Sequence, residues 1–136
     1  MGAWDYGPFD NDGAMDLFGE LVTGSAADRE RRLVSAMQEV VGSDEYVENP
    51  EVQAAVAAAA LIAVCLEESL PLPSYREEWL AQPLEITPEL RELAARTFAR
   101  AFSATDNEWY DLWDEAGALD KVEAILEPYR RAVSAT

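Results

Sequence analysis

Residues 49–71 read NPEVQAAVAAAALIAVCLEESLP, and this stretch decides the fold. Asn49 is a good helix N-cap. Pro50 suits the first helical position, where its missing N–H would find no partner anyway, and Glu51 complements the positive end of the helix dipole. From Ala54 to Leu66 the chain is apolar on every face of a helix. Such a helix has no side to show to water and must be surrounded by other elements, and its small alanines let neighbours approach closely. The apolar run of thirteen residues falls short of the roughly 20 that a bilayer span needs. A central rod ended by Pro71 and Pro73 is the expectation.

The flanking sequence supplies helices to surround that rod. Asp10 or Asn11 caps a first helix through Leu21 or Val22, with Leu17, Phe18 and Leu21 on one face. Ser25 and Asp28 form a capping box for a second, closed by Gly42. Its apolar stripe is Leu33, Val34, Met37, Val40 and Val41, with Arg29, Arg31, Arg32 and Gln38 facing water and Asp28 paired with Arg32 at i, i+4. Ser74 to Leu80 reads as a short helix. Thr87 with Pro88 opens a longer one whose stripe is Leu90, Leu93, Ala94, Phe98, Ala101 and Phe102. Asp106 starts another, with Trp109 and Trp113 turned to the core, and Gly117 closes it. The last carries Leu119, Val122, Leu126, Tyr129 and Val133, with Pro128 set to kink it. Strand signals are nearly absent. The expected fold is all-α: a single compact domain over residues 1–136, six or seven helices around the alanine-rich one.

Charge narrows the functions. The chain carries 27 acids against 10 bases, a formal net charge of −17. Seven acids and no base lie between Arg32 and Arg76, and six acids and no base between Arg100 and Lys121. That surface repels phosphate backbones and anionic lipid and attracts cations, so neither nucleic acid nor membrane is an expected partner. Histidine is absent, which removes His-based acid–base chemistry, Ser-His and Cys-His nucleophile pairs and His-containing zinc sites. Cys65 is the lone cysteine and sits in the apolar run, as a buried, inert thiol would. No basic-then-apolar leader opens the sequence, which reads as cytoplasmic.

The first residues, MGAWDYGPFDNDGAMD, gather Trp4, Tyr6 and Phe9 around Gly7-Pro8. Rings at this density in a terminus imply an arm docked on the core. Gly2, Trp4, Gly7, Phe9, Asn11, Asp12, Ala14 and Asp16 follow the pattern MG-x-W-x-x-G-x-F-x-N-D-x-A-x-D, and with it the sequence resembles the small bacterial proteins of domain-of-unknown-function family 4259. That family has no assigned activity, so the resemblance implies a fold and a boundary only. Asp10, Asn11, Asp12 and Asp16 also invite a calcium reading. In an EF-hand register with Gly13 at loop position 6, however, Pro8 and Gly19 occupy ligand positions 1 and 12. Helix capping accounts for the cluster better. No metal and no cofactor is expected.

Two constellations remain. Glu48-x-x-Glu51 and Glu108-x-x-Asp111, extended by Glu115, imitate the paired carboxylates with which all-α nucleotide pyrophosphatases hold magnesium. Tyr110, Asp111, Asp114 and Glu115 form an outward acidic rim with one aromatic, suited to protein contact. The leading functional expectation is a non-enzymatic acidic protein that binds a basic partner, as an inhibitor or immunity protein would. The alternatives are the magnesium-dependent pyrophosphatase-like enzyme and a homo-oligomeric structural protein.

Overall fold

The computed structural model describes residues 5–22, 24–72 and 84–134. Within them the chain forms six helices: α1 (Asp12–Leu21), α2 (Ala26–Val41), α3 (Asn49–Leu66), α4 (Pro88–Ala101), α5 (Glu108–Glu115) and α6 (Leu119–Ser134). The expected short helix at Ser74–Leu80 lies outside the described residues. The rest is the all-α bundle that the periodicities predict.

α3 is the rod, with α1, α2, α4, α5 and α6 all packed on it. Thirteen of its 18 residues are buried, including every position from Ala55 to Val64. By length and composition α3 is apolar enough to cross a membrane, but the fold buries 72% of it among the other helices. α1 and α3 approach closely at Gly13 of α1. A Cβ there would lie 2.6 Å from both the Gln53 Cβ and the Pro50 carbonyl oxygen, and the Gly13 N–H donates to Gln53 Oε1 at 3.0 Å. Glycine is what lets the two backbones meet.

Several local readings hold. Asn11, not Asp10, caps α1, its Oδ1 accepting from Ala14 N at 2.8 Å. Ser25 and Asp28 cap each other's backbone N–H groups at 3.2 and 3.3 Å, and the hydrogen bonds from Ser25 hold the Asp28 carboxyl below its usual pKa, helped by Arg31. Thr87 Oγ1 accepts from Leu90 N at 3.1 Å. Leu33, Met37 and Val40 are fully buried, and Val34 and Val41 half-buried. Trp109 and Trp113 face the core.

Others need correction. Arg29 does not face water: it is buried in the apolar stripe of α2, where its Nε donates to the Leu21 carbonyl at 3.1 Å and its Nη1 has no hydrogen-bond partner among the described residues. The carbonyl end of α1 is the negative pole of its helix dipole, and the Leu21 oxygen, which also accepts from Gly24 N at 3.3 Å, has a second lone pair for a cationic donor, which draws the guanidinium inward. Asp28 pairs with Arg31, and Arg32 reaches Glu20 instead at 3.3 Å. Glu48, not Asn49, is the N-cap of α3, and the helix ends at Leu66, before either proline. Cys65 is half-buried rather than enclosed. Asn107, not Asp106, caps α5, and Asp106 takes a left-handed φ of 49°.

Candidate functional site

The N-terminal motif is built into the core over its described part. Gly7 to Asp10 form a turn closed by Asp10 N donating to the Gly7 carbonyl at 3.3 Å, with Pro8 in the second position that its fixed φ favours. A side chain at Gly7 would run into the Asp10 carboxylate. The turn delivers Phe9 inward to 2% exposure, its ring 5.8 Å from Phe18 and 6.2 Å from Tyr129. Tyr6 lies 5.6 Å from Trp113, with Lys121 Nζ 5.4 Å over its ring. Asn11 and Ala14 are buried, and Asp12 and Asp16 are exposed. Gly2 and Trp4 lie outside the described residues.

The second constellation is assembled by a contact distant in sequence. Val47 and Asn107 form an isolated parallel bridge, Val47 N donating to the Asp106 carbonyl at 2.9 Å and Glu108 N to the Val47 carbonyl at 3.0 Å. The bridge sets the N-termini of α3 and α5 side by side. Asn107 is fully buried and locks the junction. Its Nδ2 donates to the carbonyls of Arg100, Ala101 and Ser103 at 3.2, 2.8 and 3.1 Å, while its Oδ1 accepts from Tyr110 N at 3.0 Å. Arg100 clamps the same two loops, donating to the carbonyls of Thr105, Asp106 and Glu45.

On this platform Glu48, Glu108, Asp111 and Glu115 come together around Tyr46, and two of the sequence's paired carboxylates are engaged at the helix starts. Glu108 Oε1 accepts from Asn49 N at 2.7 Å and Glu51 Oε2 from Glu48 N at 3.4 Å, so both satisfy helix-start N–H groups. Among the described residues no three acidic or cysteine side chains are grouped to hold a metal ion. Asp111, Asp114 and Glu115 are exposed as expected, whereas Tyr110 is half-buried against the core. The open ring on this face is Tyr46, 52% exposed. Local desolvation and the negative field of Glu108, Asp111, Glu115 and Glu48 push its phenol above the usual pKa.

A family model for a domain of unknown function, DUF4259, matches residues 2–124, nearly the whole chain. The chain belongs to the DUF4259 family. No curated protein and no solved structure matches it. Sequence reasoning missed three residues that shape this DUF4259 domain: Gly13, Asn107 and Tyr46. Asn107 was legible as a cap type, one residue past the one selected. Tyr46 left a signal too, a lone aromatic between Asp44-Glu45 and Glu48 in an acid-only stretch.

Proposed function

We propose that this domain is a non-catalytic, cytoplasmic binding module of bacteria that captures a basic protein, in the manner of an inhibitor or immunity protein. The observation that carries the proposal is an exposed tyrosine ring, Tyr46, standing among Glu48, Glu108, Asp111 and Glu115. Tyrosine anchors protein interfaces because it offers a large rigid surface with one polar tip, and surrounding charge of one sign steers an oppositely charged partner onto it. The placement of Asp114 and Glu115 supports the reading. They occupy the last turn of an eight-residue helix that has no base there, the end at which the helix dipole disfavours acids. Their position works against helix stability, as residues kept for recruitment would.

The test is capture from a native lysate on three immobilised chains: wild type, Tyr46→Ala, and the triple reversal Asp111→Lys, Asp114→Lys, Glu115→Lys. The expected result is a basic protein held by the wild type and lost from both variants, while the reversed chain melts no lower than wild type. A captured protein that is acidic, or is held equally by all three chains, would overturn the proposal.

A further inference from the structure

A second feature shares no residue with the acidic face. The turn Gly7–Asp10, the segment after α3 and the outer side of α6 enclose an open groove of about 490 Å³, within the roughly 300–1,000 Å³ typical of ligand sites. Its walls are Pro8 and Phe9 from the turn, Pro71 from the segment after α3, and Ile125 and Pro128 from α6. Ile125 is 38% exposed, one of the few large apolar side chains open to solvent among the described residues. The three prolines hold this surface stiff, so little ordering is needed on binding. Tyr129 closes the floor, its hydroxyl already donating to the Pro71 carbonyl at 2.5 Å.

The charged groups on the walls are the carboxylates of Asp5 and Asp10, and the described lining contains no lysine or arginine. Burial and the Asp10 carboxylate push the Tyr129 phenol up to about 12, so the floor stays uncharged. An apolar trough with a negative rim complements an apolar side chain next to a cation. We infer that this groove docks a short basic segment of a protein partner, seating one apolar side chain against Ile125 and Pro128 and its neighbouring lysine or arginine over Asp5. The inference rests on the reading of the domain as a binder of basic proteins and adds a contact separate from the Tyr46 face. The whole chain, at −17, draws cationic polymers more strongly than singly charged amines, which favours a protein segment over a small amine as the occupant.

The experiment titrates the full chain, at fixed salt, with two fluorescent peptides of equal charge. One alternates lysine with glycine, and the other has two of its glycines replaced by leucine. The leucine peptide should bind roughly tenfold tighter, the scale expected for one seated apolar side chain. Ile125→Lys, at an exposed position, should abolish that gain with the melting temperature unchanged, its added cation weakening both peptides alike, and Asp5→Asn should reduce it. Equal affinity for the two peptides, or a leucine gain that survives Ile125→Lys, would overturn the inference. So would tighter competition by free phenethylamine than by the leucine peptide, which would assign the groove to a small amine. The triple reversal on α5 separates the two proposals. If it weakens both peptides while no leucine gain exists, the groove fails alone. If the gain exists and the reversal changes nothing, the acidic face fails alone.

Discussion

Replacing Gly13 and Gly19 by alanine, one at a time, should move stability in opposite directions although both lie in α1. At Gly13 the new Cβ meets the Gln53 Cβ and the Pro50 carbonyl oxygen at 2.6 Å, where ordinary contact begins at 3.4 Å. A backbone carbonyl cannot swing aside, so α1 must back away from α3 by about 0.8 Å, enough to forfeit a quarter to a half of the dispersion between facing atoms. Overpacking of this kind costs about 1–3 kcal/mol, and stretching the Gly13–Gln53 hydrogen bond adds about 1 kcal/mol. The gain from alanine's helix propensity is small so near the helix start. A net loss of about 2–3 kcal/mol follows, or roughly 6–15 °C in Tm for a domain of this size. At Gly19 nothing lies within 4 Å, so alanine should stabilise by about 0.4–1 kcal/mol. Urea unfolding followed through tryptophan fluorescence, which reports on the buried Trp109 and Trp113, measures both. A Gly13→Ala chain as stable as wild type would refute the close contact between α1 and α3. A destabilised Gly19→Ala chain would refute the orientation of α1.

Asn107→Ala removes four hydrogen bonds from a fully buried site and should cost about 2–4 kcal/mol in the same urea assay. Tyr129 has a folded pKa raised to about 12 from 10.0. Between those values the unfolded chain loses its proton while the folded chain keeps it, so stability is intact below pH 10 and falls as pH rises towards 12. Tyr129→Phe should therefore show a shallower loss between pH 9.5 and 11.5 in pH-dependent melting, and a slope equal to wild type would contradict the assignment. Calcium, magnesium and EDTA, at matched ionic strength, should give superimposable melting curves. A saturable rise with one divalent ion would mean that the acidic side chains form a site after all.

Much of the fold was legible because its signals are local. The all-apolar run of α3 dictates burial whatever surrounds it, and Asn11, Ser25 and Thr87 cap through groups within three residues. The misreadings trace to distant contacts. Asn49 looks like a cap by type, yet its N–H is taken by Glu108, 59 residues away, and the cap position falls to Glu48. Arg29 turns inward because the end of α1 arrives beside it, which no helical period of α2 encodes. The same holds for the candidate site. The acids were visible as acid-only stretches, but which tyrosine stands open among them depends on the Val47–Asn107 bridge. That bridge turns Tyr46 out, while the packing of α5 draws Tyr110 in.

Recruitment of a basic protein by the acidic face around Tyr46, as proposed, would show first in the association rate constant. Stopped-flow mixing of the captured partner with wild type and with the Asp111→Lys, Asp114→Lys, Glu115→Lys chain, across salt from about 0.05 to 1 M, spans Debye lengths from over 10 Å to about 3 Å. Steering predicts fast wild-type association that slows steeply as salt rises, and slow, nearly salt-independent association for the reversed chain. Equal rates for the two chains, or a wild-type rate indifferent to salt, would contradict the account.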